Sequence, residues 1–132
     1  METRHAANDE LARYWGGDEA AHWLVHEEHY ERAPAPFTGD LLSAAAVGDA
    51  DRVIDIACGT GSTTRAAARV ATMGDALGVD LSAPMLRQAA RRASQDGLTN
   101  VRFEHGDAQV QPVQGRSRRC RHQLAPASAP CP

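Results

Sequence analysis

The chain has no lysine; all fourteen of its basic residues are arginine. It has three cysteines, Cys58, Cys120 and Cys131, and none belongs to a Cys-x-x-Cys pair. That excludes a paired disulfide framework and fits a reducing compartment, so a cytoplasmic protein is expected. No apolar run approaches the ~20 residues that a membrane span requires, so no membrane partner is expected. The opening Met1-Glu2-Thr3-Arg4-His5 lacks the apolar core of a secretion signal. Aromatics are scarce, with two each of Trp, Tyr and Phe. Acids are absent from one end: residues 1–109 hold ten Arg against seventeen acids, residues 110–132 four Arg and none. A basic tail can touch nucleic acid, but four arginines without interleaved aromatics argue little for it, and no nucleic-acid partner is expected.

What is present reads as one domain of 132 residues. Residues 8–15 form a short helix opened by Asn8 or Asp9 and broken at Gly16-Gly17. Asp18 caps a second helix over about 19–32, stopped by Pro34 and Pro36. A third helix starts at Thr38, with Leu41, Leu42, Ala45 and Ala46 at helical spacing. From Gly48 onward strands and helices alternate: strand 52–57, helix 62–72, strand 76–80, helix from 83, strand 100–105. Ser82 caps the last helix and Pro84 lies in its first turn. Met85, Leu86, Ala89, Ala90 and Ala93 make its apolar face, and Gly97 ends it. This order predicts an α/β fold with parallel strands and right-handed crossovers.

Three segments that end predicted strands carry the chemistry, because open α/β sheets bind ligands at the carboxyl ends of their strands. The first, Asp55-Ile56-Ala57-Cys58-Gly59-Thr60-Gly61, leads from a β-branched strand through Gly-x-Gly into a helix. Glycine there allows positive φ and close approach of a ligand. The second, Gly78-Val79-Asp80-Leu81-Ser82, places a carboxylate twenty-one residues after Gly59, where its two oxygens suit a ribose diol. The third, Glu104-His105-Gly106-Asp107-Ala108, offers a carboxylate and an amide to the amino edge of an adenine. Cys58 reads as a small buried thiol. A nicotinamide-type dinucleotide module is the rival reading, but Thr64 stands where its third glycine would be.

Residues 53–64, 78–86 and 101–109 resemble the three cofactor motifs of class I S-adenosylmethionine-dependent methyltransferases, in the small-molecule branch similar to ubiquinone/menaquinone-biosynthesis enzymes. Tyr14-Trp15, Trp23, Tyr30-Glu31-Arg32 and Ala35-Pro36-Phe37 resemble the helical cap of that branch. The resemblance implies a Rossmann-like three-layer fold, here about three parallel strands with an N-terminal helical cap. It also implies S-adenosyl-L-methionine as cofactor and a small-molecule acceptor. Asp55, Ala57, Gly59 and Gly61 would line its methionine and ribose part, Asp80 would hold the ribose, Leu81 and Met85 would flank the adenine, and Asp107 and Ala108 would bind the adenine edge. Catalysis would consist of alignment in a dry cavity, with no acid or base required from these motifs.

The expected organisation is a cap over 1–47, a cofactor-binding half-domain over 48–113 and a tail over 114–132. The tail lacks periodic apolar residues and contains Arg116-Ser117-Arg118-Arg119-Cys120-Arg121-His122, which would be too costly as a buried central strand. Disorder is one reading of it. A changed reading frame is the other: codons for Arg118–Gln123 exist that read Asp-Val-Val-Val-Ile-Ser one base out of frame. Coding DNA without an open continuation in that frame would exclude it. A non-catalytic remnant without the later strands of the family stays open as well. His22, His26 and His29 fall on one helix face, but their spacing is not that of a zinc peptidase, and no metal is expected. Trp15, Trp23 and Tyr30 could form an aromatic wall near the methyl group, but packing of the cap onto the domain is the expected role.

Overall fold

The computed structural model describes residues 5–110 and 120–124. A 3-10 turn at Ala6–Asn8 precedes helices α1 (Asp9–Gly16), α2 (Asp18–Val25), α3 (Glu27–Arg32) and α4 (Ala35–Ala44). Then β1 (Arg52–Ile56), α5 (Ser62–Val70), β2 (Asp75–Asp80), α6 (Ala83–Gln95) and β3 (Val101–His105) alternate as the sequence predicts, and β4 (Cys120–Leu124) follows. The strands form one sheet in the order β3-β2-β1-β4, with parallel pairing throughout.

Register decides what shares a face. Val53 and Asp55 lie beside Ala76 and Gly78, which lie beside Val101 and Phe103. This face is packed with small side chains. Val53 and Ala76 join Leu42 of α4 and Ala67 and Ala68 of α5 in one core cluster. Alanines let α5 approach the sheet closely, and the glycines at 61 and 78 do the same for the ring of Phe103. α6 buries Met85, Leu86, Ala89 and Ala93. Ala90, expected in that stripe, is exposed, because the buried face is only one helical stripe wide. Ser82 caps α6 as expected, its Oγ accepting from the Met85 amide at 3.3 Å. Gly97 follows the helix at φ +70°, a left-handed stop that suits glycine.

Four expectations are corrected. The helix expected over 19–32 breaks at His26 (φ −108°, ψ 22°), and the break coincides with Glu27 turning inward to α6. Gly17 rather than Asp18 flanks α2; Asp18 and Glu19 occupy its first turn, where carboxylates favour the helix dipole. α4 begins at Ala35 with Pro36 in its first turn, because first-turn amides have no intrahelical acceptor to lose. Within the tail expected over 114–132, residues 120–124 form β4 and pair with β1, so this edge of β1 is not open along that pairing. Strand addition satisfies backbone donors and acceptors, and the cost argued against Arg116–His122 applies to a central strand, whereas β4 is the outer strand among the described residues. A register irregularity between Arg52 and Val53 accompanies it. The rest of that tail lies outside the described residues.

Candidate functional site

The site begins where β1 runs out. Residues 57–61 turn the chain into α5 using three positive φ values: Ala57 at +60°, Gly59 at +56° and Gly61 at +77°. The two glycines serve different ends. A Cβ on Gly59 would meet nothing within 4 Å, whereas one on Gly61 would lie 2.7 Å from the Phe103 ring and 3.0 Å from Ala89. Gly59 therefore keeps a space open, and Gly61 lets the turn sit on the sheet. Exposed Ala57 holds a conformation that disfavours a Cβ.

Hydrogen bonds join the three strand-end loops. Asp80 Oδ2 accepts from the Gly59 amide at 2.8 Å, and its Oδ1 accepts from the Ser82 amide at 2.8 Å. The Gly106 amide donates to the Asp80 carbonyl at 3.0 Å, and His105 Nε2 lies 2.9 Å from the Leu81 carbonyl. Gly59, Asp80, Leu81 and the start of the third motif are thus contiguous. The Gly61 amide is committed to the Cys58 carbonyl at 2.9 Å. The turn consequently offers shape at Gly59 and Gly61 more than free donors.

Asp55 is buried beneath this surface, its Oδ2 accepting the Thr64 hydroxyl at 2.6 Å. Burial pushes its carboxyl up to about 6; the Thr64 bond opposes this and the nearby Asp80 charge adds to it. The Cys58 thiol is pushed up by burial and by the charges of Asp55 and Asp80, which leaves it a weak nucleophile. Met85 is buried, while Leu81 and Ala108 are half-buried. Asp107 is buried too. Its Oδ2 accepts from the His5 amide at 2.9 Å and from Asn8 Nδ2 at 2.8 Å, and its Oδ1 from the Gln109 amide at 2.9 Å. Burial would raise its carboxyl, but the bonds from Asn8, Gln109 and His5 outweigh it and lower it.

The cap covers these loops through polar contacts. The Ser82 hydroxyl donates to the Trp15 carbonyl at 2.5 Å. Glu31 Oε1 accepts the Thr60 hydroxyl at 2.7 Å and lies 3.6 Å from Arg65 Nη2. Arg65 also donates from Nη1 to the Thr60 carbonyl at 2.7 Å, and its Nε lies 3.2 Å from Asp96. Buried Glu27 accepts from Gln88 at 2.7 Å and from Arg92 at 3.0 Å. Trp15 meets Trp23 edge-on and Trp23 stacks on Tyr30 at 3.9 Å, which is packing within the cap. His22 and His26 have ring centroids 4.7 Å apart, and His22 Nε2 lies 3.3 Å from the Tyr30 hydroxyl. Among the described residues no three His, Cys, Asp or Glu side chains converge as metal ligands.

Sequence reasoning missed Thr60, Arg65 and Asn8 as site-supporting residues. Thr60 and Arg65 pair five residues apart, but the links of Thr60 to Glu31, Arg65 to Asp96 and Asn8 to Asp107 lie beyond the reach of local spacing. Their only local signal was proximity to the glycine turn or a helix start.

An open parallel sheet whose strand-end loops surround a glycine turn and an acidic residue defines a Rossmann-like nucleotide-cofactor fold. The family follows from comparison. A family model described as "Methyltransferase domain" matches residues 48–117, and the chain belongs to this methyltransferase family. An uncharacterized protein of Mycobacterium tuberculosis is 34% identical over 82 residues, 62% of this chain and 29% of that protein. A trans-aconitate 2-methyltransferase of Rhodopseudomonas palustris is 37% identical over 71 residues, 54% of this chain and 28% of the enzyme. Among solved structures, an RNA methyltransferase from Salinibacter ruber in complex with S-adenosyl-L-homocysteine superposes with a TM-score of 0.54 at 25% identity. The match covers 58% of this chain and 50% of that one. Solved neighbours include S-adenosyl-L-methionine-dependent methyltransferases, in keeping with S-adenosyl-L-methionine as the cofactor. The chain spans less than a third of the length of these two curated relatives. No helix among the described residues is long and apolar enough to cross a membrane.

Proposed function

We propose that the chain binds S-adenosyl-L-methionine across the ends of β1, β2 and β3 and serves methyl transfer to a small-molecule acceptor. The observation that carries the reading is the pairing of Gly59 and Asp80. Gly59 leaves open space where a side chain would otherwise stand. Asp80, beside it, has each oxygen committed to one amide, and a carboxylate has about four acceptor sites, so acceptor capacity remains for a ribose diol. When bound, the cofactor supplies a methyl group already activated on a sulfonium.

The residues of the chain would divide the work. Ala57, Gly59 and Gly61 shape the turn, and Asp55 holds it from below through Thr64. Leu81 would supply apolar surface beside the adenine, and buried Met85 would only pack behind it. Asp107 and Ala108 would meet the adenine edge, Asp107 with the acceptor capacity left by its three donors. A small acceptor is favoured over RNA by charge: the acid excess over residues 1–109 opposes a polyanion. The relative named for trans-aconitate supports the same choice.

Calorimetric titration of the full chain with S-adenosyl-L-homocysteine, and separately with NAD, tests the reading. Binding of the first without the second is expected. NAD binding alone would replace this reading with the dinucleotide one.

A further inference from the structure

The cap reaches each of the three strand-end loops by a different residue: Glu31 at Thr60, Trp15 at Ser82, and Asn8 at Asp107. The contact at Thr60 differs from the others in what it holds. Thr60 sits between Gly59 and Gly61, both at positive φ, so its own backbone is flanked by the two most permissive residues of the turn. Its side-chain hydroxyl is held by Glu31 and its carbonyl by Arg65. Arg65 is anchored in turn beside Asp96, at the far end of α6. Glu31 is one-quarter exposed, whereas the Arg65 side chain is 9% exposed. A buried guanidinium thus grips the turn from the domain side, and a partly exposed carboxylate grips it from the cap.

We propose that Glu31 is a positioning residue: through Thr60 and Arg65 it lets the docked cap fix the glycine turn, and so sets the affinity for the methyl donor. This rests on the cofactor reading above. A turn held in one conformation loses less freedom on binding than a loose one. Detaching Glu31 frees the Thr60 hydroxyl and loosens the cap together, so cofactor affinity and cap docking change as one property.

Both tryptophans, Trp15 and Trp23, lie in the cap, so its docking can be followed without any ligand. The test compares Glu31→Ala, Thr60→Val, their double variant and Glu31→Gln in the full chain. The readouts are the dissociation constant for S-adenosyl-L-homocysteine and the tryptophan emission of the ligand-free protein. Each single variant is expected to weaken binding about tenfold, the scale of one charge-assisted hydrogen bond. The double variant should be no weaker than the singles. Glu31→Gln keeps an acceptor for Thr60 and should recover most of the affinity. Glu31→Ala should move tryptophan emission to longer wavelength. Wild-type affinity in Glu31→Ala, or losses that multiply in the double variant, would overturn the proposal. A wild-type chain that fails to bind S-adenosyl-L-homocysteine would remove the cofactor reading and this inference with it.

Discussion

Asp80 accepts the amide hydrogen of Gly59 at 2.8 Å, so the residue assigned to the ribose also anchors the glycine turn of the neighbouring strand. Its loss should act twice. Asp80→Ala leaves the Gly59 and Ser82 amides without their acceptor, at a cost of about 2 kcal/mol. Affinity for S-adenosyl-L-homocysteine should fall more than tenfold. Asp80→Asn keeps one acceptor and should retain more stability than affinity. Urea titrations set beside calorimetry would separate the two effects; unchanged affinity in Asp80→Ala would refute the ribose assignment.

The two glycines of the turn should respond differently. Gly61→Ala meets Phe103 at 2.7 Å and carries a positive φ as well, so overpacking and backbone strain together should destabilise by about 3 kcal/mol. Gly59→Ala meets nothing within 4 Å and should cost only about 1 kcal/mol in stability, yet its methyl group enters the proposed cofactor space and should weaken binding strongly. Equal effects of both variants on melting temperature would show that the spaces are not distinct.

Stability should fall as pH rises across the Asp55 transition. Its carboxyl is raised from 3.8 to about 6, so between these values the folded state binds more protons than the unfolded one. The contribution is complete below 3.8, is lost as pH climbs through about 6, and amounts to about 3 kcal/mol at most. Asp107 has the opposite sign: its carboxyl is lowered, so its contribution persists above 3.8 and is lost only in stronger acid. Urea midpoints measured from pH 4 to 7 should decline in the wild type, and Asp55→Asn should flatten the decline.

Glu27 docks the cap onto α6 independently of the turn. Glu27→Ala removes the acceptor for Gln88 and Arg92. The Arg92 side chain is 37% exposed, so water can take over, and the cost should be about 1–2 kcal/mol rather than the larger penalty of stranding a buried charge. Faster tryptic cleavage after Arg32 is the expected sign of a loosened cap.

Elements held by local rules were legible in the sequence. β1 and β2 announced themselves by apolar residues leading to glycine or aspartate, β3 by Val101 and Phe103 ahead of Gly106, and α6 by Ser82, Pro84 and Gly97. Contiguity of the loops carrying Gly59 and Asp80 was legible through strand order. Decisions made by tertiary contact were not. His26 interrupts a helix whose local sequence could continue, while Glu27 finds Gln88 and Arg92 sixty-one and sixty-five residues away. Asn8 looks like a helix cap, but its amide goes to Asp107 and makes no cap bond. β4 escaped notice because pairing with β1 uses the backbone, which residue type does not report.

The ring of Phe103 lies 2.7 Å from where a Cβ would stand on Gly61 and equally close to one on Gly78. One side chain of the third strand therefore constrains the loop after the first strand and the middle of the second. In evolutionary terms it fixes the order in which changes can accumulate. An alanine at 61 becomes tolerable only after the residue at 103 has shrunk, and one at 78 only after Cys58 has given way as well. Substitutions at 61 and 78 in descendants of this chain should therefore follow a change at 103.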